Sequence, residues 1–187
     1  MKKIDKGISK NYDGALPRVF FGRFKRKFRR FTGGKSRNLR LEDAEKGTGK
    51  AAGRIFRDSH YFTNCLDILK GADFNLADEN DIYRTGVIGQ FNLTFKLAWK
   101  ALQAVLSEHG VEGADTGSPR EILMLGYRFG FVNDSAVWLS MLKKRNIAVH
   151  IYNEEEIDET LLLIRDSFIP AFAALEKTLY EKMRLCL

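Results

Sequence analysis

Cysteine and proline are scarce in this 187-residue chain, at two and three residues. Cys65 and Cys186 lie far apart and form no C-x-x-C pair, so neither a disulfide framework nor a cysteine-rich zinc site is expected. No apolar run approaches the roughly 20 residues needed to cross a bilayer, residues 168–175 being among the longest. The opening Met1-Lys2-Lys3-Ile4-Asp5-Lys6 is followed by no apolar core of a secretory signal. These absences predict a soluble cytoplasmic protein without stable membrane insertion. A convincing period-two strand is also missing. A cluster of metal-ligating side chains is not evident beyond Glu154, Glu155 and Glu156, so no cofactor is expected of this chain.

Charge is present in quantity but divided unevenly. Residues 1–57 carry 18 Lys/Arg against 5 Asp/Glu, a net +13, whereas residues 58–187 carry 13 against 19, a net −6. The overall +7 therefore averages two unlike parts, with a boundary near residues 50–57, after the loop-like Glu45-Lys46-Gly47-Thr48-Gly49-Lys50. This divides the chain into a basic extension over residues 1–53, expected to be disordered, and a folded unit over 54–187. Inside the extension Phe20, Phe24, Phe28 and Phe31 recur at helical spacing among Arg and Lys. As a helix the segment would suit RNA or an anionic membrane surface; a plain basic tail, or a stretch upstream of the natural start, explains it as well. No specific function is assigned to it.

From residue 58 onward the periodicity is helical. A first helix is expected from about Gly53 to Lys70, with Tyr61, Cys65 and Ile68 or Leu69 on one side and Gly71 as its stop. Asp78-Glu79-Asn80-Asp81 supplies caps for a long second helix striped by Ile88, Phe91, Phe95, Ala98, Leu102 and Val105, ending at His109-Gly110. Ser118-Pro119-Arg120-Glu121 is a capping-box start for a third helix, closed by Gly130. Asp134 or Ser135 opens a fourth, carrying Trp138, Met141 or Leu142, Arg145 and Ala148. Asn153 caps a fifth, whose stripe is Ile157, Leu161, Ile164, Phe168, Phe172, Leu175 and Leu179, with a kink near Pro170. Short links favour antiparallel neighbours. The expected fold is an all-α, up-and-down bundle of four or five helices.

One stretch has no evident packing role: Arg145-Asn146-Ile147-Ala148-Val149-His150-Ile151-Tyr152. It puts a guanidinium, a carboxamide, an imidazole and a phenol within eight residues, a set able to hold a phosphate, move a proton and offer a hydroxyl. On a straight helix Asn146 and His150 form an i, i+4 pair, and Arg145 shares its face with Trp138 and Tyr152. Arg145 and His150 would stand about 140° apart, so they converge only if the helix unwinds near Tyr152 or a second subunit supplies the missing partner. The bland reading is an ion-paired Arg145, a capping His150 and a packed Tyr152. Trp99 and Trp138 read as core, interface or cleft anchors. Lys96 and Lys100 read as a solvated pair, and His60 and His109 as surface or capping residues.

Three ordered blocks resemble one family of HEPN domains, the nucleotidyltransferase substrate-binding proteins. Phe91-Asn92-Leu93-Thr94-Phe95-Lys96-Leu97-Ala98-Trp99-Lys100 is similar to its F-x-x-T-F-x-L-x-W-K, and Ser118-Pro119-Arg120-Glu121 to its S-P-R-E. The third block is Trp138-Leu139-x-Met141-Leu142-x-x-Arg145-Asn146 with His150-x-Tyr152. The resemblance covers roughly residues 57–183 and leaves the basic extension unexplained. It implies a homodimeric helical bundle that partners a separate minimal nucleotidyltransferase, as in toxin–antitoxin-like two-gene systems. ATP and magnesium would belong to that partner. It also implies an alternative, a metal-independent RNase toxin acting on RNA. There His150 takes the 2′-hydroxyl proton, Arg145 holds the phosphate, Asn146 orients the imidazole, and AMP transfer to Tyr152 silences the activity. Many relatives follow this tyrosine with Asp-Glu, where this chain has Asn153-Glu154. No D-x-D pair occurs in the chain, so two-metal nucleotidyl transfer must come from another subunit.

Overall fold

The computed structural model describes residues 41–147 and 154–185, with side chains over 54–145 and 154–182. Its elements run in the order α1 (Leu41–Lys70), α2 (Phe74–Glu79), α3 (Asp81–Glu108), α4 (Pro119–Arg128), α5 (Ser135–Ile147) and α6 (Glu154–Leu163). A π-helical turn over Ile164–Phe168 then leads into α7 (Ile169–Leu185). The described residues are helical with short links and contain no strand, as the sequence pattern predicts.

The helix boundaries follow local chemistry. Asn80 caps α3 by accepting from the Tyr83 amide at 2.9 Å. At α4 the capping box is complete: Ser118 Oγ accepts from the Glu121 amide, and the Glu121 carboxylate accepts from the Ser118 amide at 2.7 Å. The ends of α3 and α4 share one solution. Gly110 and Gly130 both adopt φ +69°, and the next amides, of Val111 and Phe131, reach back to the carbonyls of Leu106 and Gly126. That left-handed stop suits glycine because a Cβ would crowd it.

Two boundaries differ from the sequence reading. Helix α1 (Leu41–Lys70) includes residues 45–50, which are loop-like in sequence. Leu41, Glu42, Ala44, Glu45, Lys46, Ala51 and Ala52 are strong helix formers, and they outweigh the penalty of Gly47, Gly49 and Gly53. Residues 1–40, with the phenylalanine stripe, lie outside the described residues. The second difference is α2, a six-residue helix capped by Asp73, whose carboxylate accepts from the amides of Asn75 and Leu76. It is too short for periodicity to show.

The core forms where the stripes meet. Phe91, Phe95, Ala98 and Leu102 of α3 are fully buried, against Phe168, Phe172, Leu175 and Leu179 of the C-terminal rod. Phe91 stacks on Phe168 with ring centroids 5.2 Å apart. Burying such side chains yields about 1.5–3 kcal/mol each, so this seam dominates stability. On α1 the buried stripe is Ile55, Phe62, Leu66 and Leu69, while Tyr61 and Ile68 are exposed. Of the expected side, Tyr61 and Ile68 thus face outward and Cys65 is half-buried, whereas Leu69, the alternative to Ile68, is in the core. Two adjacent residue sets share the same period, and the one richer in Phe and Leu removes more apolar area from water.

Candidate functional site

Helix α5 delivers the first half of the signature stretch. Its start is fixed by Asp134, whose Oδ1 accepts from the amides of Ala136 at 2.9 Å and Val137 at 3.3 Å. Trp138 and Met141 then anchor it in the core. Trp138 stands edge-on to Phe172, with centroids 5.4 Å apart, and tilts against Phe95 at 6.3 Å. It is 2% exposed, a core position of the protomer and one of the alternatives the sequence left open. The reason is its position: it points inward where α3, α5 and α7 converge.

Arg145 lies two turns beyond Trp138, near the C-terminal end of α5, where a cation opposes the negative end of the helix dipole. It is half-buried, and among the described residues no carboxylate comes within ion-pairing distance of it. Asn146 follows in the same last turn, with its side chain outside the described set. His150 and Tyr152 also lie outside the described residues.

Ion pairs hold the helices on either side of the stretch. Lys144, largely sheltered, forms a charge-assisted hydrogen bond to Glu159, tying the end of α5 to α6. One residue earlier on α6, Asp158 pairs with Arg84 of α3 at 3.4 Å. The same guanidinium donates to the carbonyls of Ala77 at 3.0 Å and Asp78 at 3.2 Å, closing the end of α2. These pairs tie α6 to both α3 and α5. Sequence inspection missed this clamp. A basic residue ending one helix and an acidic one opening the next was the available signal.

A second set lies on α3. Asn92 Oδ1 and Trp99 Nε1 are buried atoms without a hydrogen-bond partner, and the two residues share one side of the helix. Trp99 is partly buried against the core, and the Lys100 ammonium lies 5.6 Å from its ring centroid. This is a cation–π arrangement at an exposed lysine. An unsatisfied indole N–H and amide oxygen carry a desolvation penalty unless a further group meets them. Lys96 is exposed, as expected of a solvated residue.

His109, expected at the surface or in a cap, closes α3 but is 5% exposed, with its ring 6.3 Å from that of Phe131. Burial, and then the charge of Lys182, push its imidazole below its ordinary value. Lys182 lies over the Phe131 ring at 4.5 Å and donates to the Phe129 carbonyl at 3.2 Å, and burial lowers it too. These residues close the ends of α3 and α4. Two surface grooves among the described residues do not include Arg145: one lies between α4 and the loop at Glu112 and Thr116, the other between α1 and α3.

Comparison with known proteins matches these features to a family. Residues 60–181 match the family described as "Nucleotidyltransferase substrate binding protein like". The chain belongs to that family, a HEPN-type helical bundle. It is similar to a Haemophilus influenzae protein named "Probable ribonuclease HepT", with 27% identity over 99 residues, 52% of this chain and 68% of that one. A crystal structure from Thermus thermophilus matches with 31% identity and a TM-score of 0.51, over 66% of this chain and 98% of that one. HI0074 of Haemophilus influenzae shares the fold at 22% identity and a TM-score of 0.53, over 67% of this chain and 96% of that one. Its structure is described as revealing the fold of a substrate binding domain of a nucleotidyltransferase.

Proposed function

We propose that this chain is the substrate-binding subunit of a split nucleotidyltransferase, a cytoplasmic homodimer paired with a separately encoded minimal nucleotidyltransferase in a toxin–antitoxin-like two-gene system. The observation that carries this reading is the family match across residues 60–181, in a chain without a D-x-D pair of its own. In this reading Arg145, Asn146, His150 and Tyr152 supply the polar surface. Nucleotide and magnesium are the partner's. Co-expression with the small nucleotidyltransferase encoded beside it is expected to give a complex that survives gel filtration. Separate elution of the two proteins would refute the pairing.

A second reading follows from the similarity to "Probable ribonuclease HepT" together with the R-x-x-x-x-H spacing of Arg145 and His150. Here the chain is a metal-independent RNase. His150 removes the 2′-hydroxyl proton, Arg145 stabilises the charge on the phosphate, and Asn146 orients the imidazole. AMP transfer to Tyr152 by the partner would block the site. Growth arrest on expression, relieved by His150→Ala, supports this reading, whereas intact RNA and normal growth with the wild-type chain would remove it.

A further inference from the structure

The outer face of α3 carries a stripe that the described residues of the protomer do not cover. Ile82, Gly86, Gly89 and Leu93 follow at spacings of 4, 3 and 4, so they share one side of the helix. Ile82 is 86% exposed and Leu93 44%. A Cβ built at Gly86 or at Gly89 would meet nothing within 4 Å. Among the described residues neither glycine therefore serves a turn, a positive φ or a close contact, although glycine weakens the middle of a helix. On one flank the stripe continues into the groove beside α1, where Ile68 is 63% exposed, giving a contiguous apolar patch.

Charge specifies what covers it. Asp78, Glu79 and Asp81 stand exposed at the N-terminal end of the stripe, and Lys96 and Lys100 stand exposed beyond its other end. The order along the helix is acid, Ile, Gly, Gly, Leu, base. A partner of one charge would fit one end and be repelled at the other. A second copy laid antiparallel fits both ends. In the register that sets Gly86 against Gly89 of the second copy, Ile82 meets Leu93 of the second copy. Lys96 then faces the acidic turn around Glu79 of the second copy. The arrangement is self-complementary, as a two-fold interface requires, and the glycines fall at the crossing, where the two backbones must come closest.

We propose that the α3 stripe centred on Gly86 and Gly89 is the surface through which two copies of this chain associate, antiparallel and two-fold symmetric. This specifies the interface of the homodimer in the reading above. Its test does not depend on the nucleotidyltransferase. The full chain is examined by sedimentation equilibrium, with circular dichroism as the control for folding. The wild type is expected at twice its 21.4 kDa mass. The double variant Gly86→Trp with Gly89→Trp is expected at the single mass with unchanged helicity, because each side chain points into open space in the protomer. Lys96→Glu is expected to weaken association at least tenfold, and Glu79→Lys added to it to restore most of that loss. A monomeric wild type, a dimeric tryptophan variant, or a double charge reversal no better than the single one would each overturn the proposal. Pull-down of the partner nucleotidyltransferase by the tryptophan variant separates the two readings. Loss of the dimer with partner binding retained supports this surface, and a retained dimer with no partner binding refutes only the pairing.

Discussion

Trp138 packs edge-on against Phe172, and this contact joins α5, which carries Arg145, to the rod formed by the last helices. Both rings are almost fully enclosed. Trp138→Ala is expected to lower unfolding free energy by about 3–5 kcal/mol, the usual cost of truncating a buried large aromatic. Urea unfolding followed by circular dichroism measures it. A loss below about 1 kcal/mol would show that the surrounding helices collapse into the space.

Arg145 lies two turns further along the same helix, half-buried, and is expected to behave in the opposite way. Arg145→Ala should leave stability within roughly 0.5 kcal/mol, since it makes no ion pair among the described residues. It should instead reduce partner or RNA binding, read by pull-down and by gel shift. Destabilisation as large as that of the Trp138 variant would assign Arg145 to packing.

The capping box at α4 gives a local prediction. Ser118→Ala is expected to destabilise by about 1 kcal/mol, as N-cap removal generally does. The Glu121 carboxyl is held below its ordinary value by the Ser118 amide and hydroxyl. A lowered acid pKa contributes stability above the unfolded value of 4.5, and that contribution is lost as pH falls through the folded value. Thermal melts of the wild type and Glu121→Gln between pH 6 and pH 3 should therefore converge at the acidic end, where both side chains are uncharged.

Buried His109 acts in a higher pH window. Its imidazole is lowered by burial and then by Lys182, so the folded state favours the neutral ring. The unfolded chain binds the proton more readily. The contribution is therefore full above the unfolded value of 6.5 and falls away as pH drops below it. Melting temperature is expected to decline from pH 8 to pH 5, and His109→Gln should flatten that decline. An unchanged slope in the variant would place the titration elsewhere.

Much of the bundle was legible because capping and periodicity are local codes. Ser118 and Glu121 mark a helix start unaided, and the stripe from Ile157 to Leu179 falls on the buried side as read. The α1 register was not legible: Tyr61 and Phe62 each begin a plausible stripe, and tertiary burial chose between them. The Lys144–Glu159 and Arg84–Asp158 pairs were hidden for a different reason. They join residues on different helices that only the folded bundle brings together. Of the candidate site, Arg145 lies on α5 seven residues beyond Trp138, and His150 and Tyr152 lie outside the described residues.

The π turn over Ile164–Phe168 has a consequence for how the molecule opens. Pro170 has no amide to donate, and the Ile169 amide reaches five residues back, to the Ile164 carbonyl. The hydrogen-bond ladder therefore changes pitch and skips a rung in the middle of an otherwise continuous rod. Each side has its own fastening: Glu159 and Asp158 on α6, and on α7 Glu176, which pairs with Lys70 of α1 at 3.2 Å. Amide exchange should accordingly resolve two cooperative units, with faster exchange before Ile164 than after Phe172. Breathing at the end that receives the signature stretch can then proceed while the aromatic seam behind it stays shut.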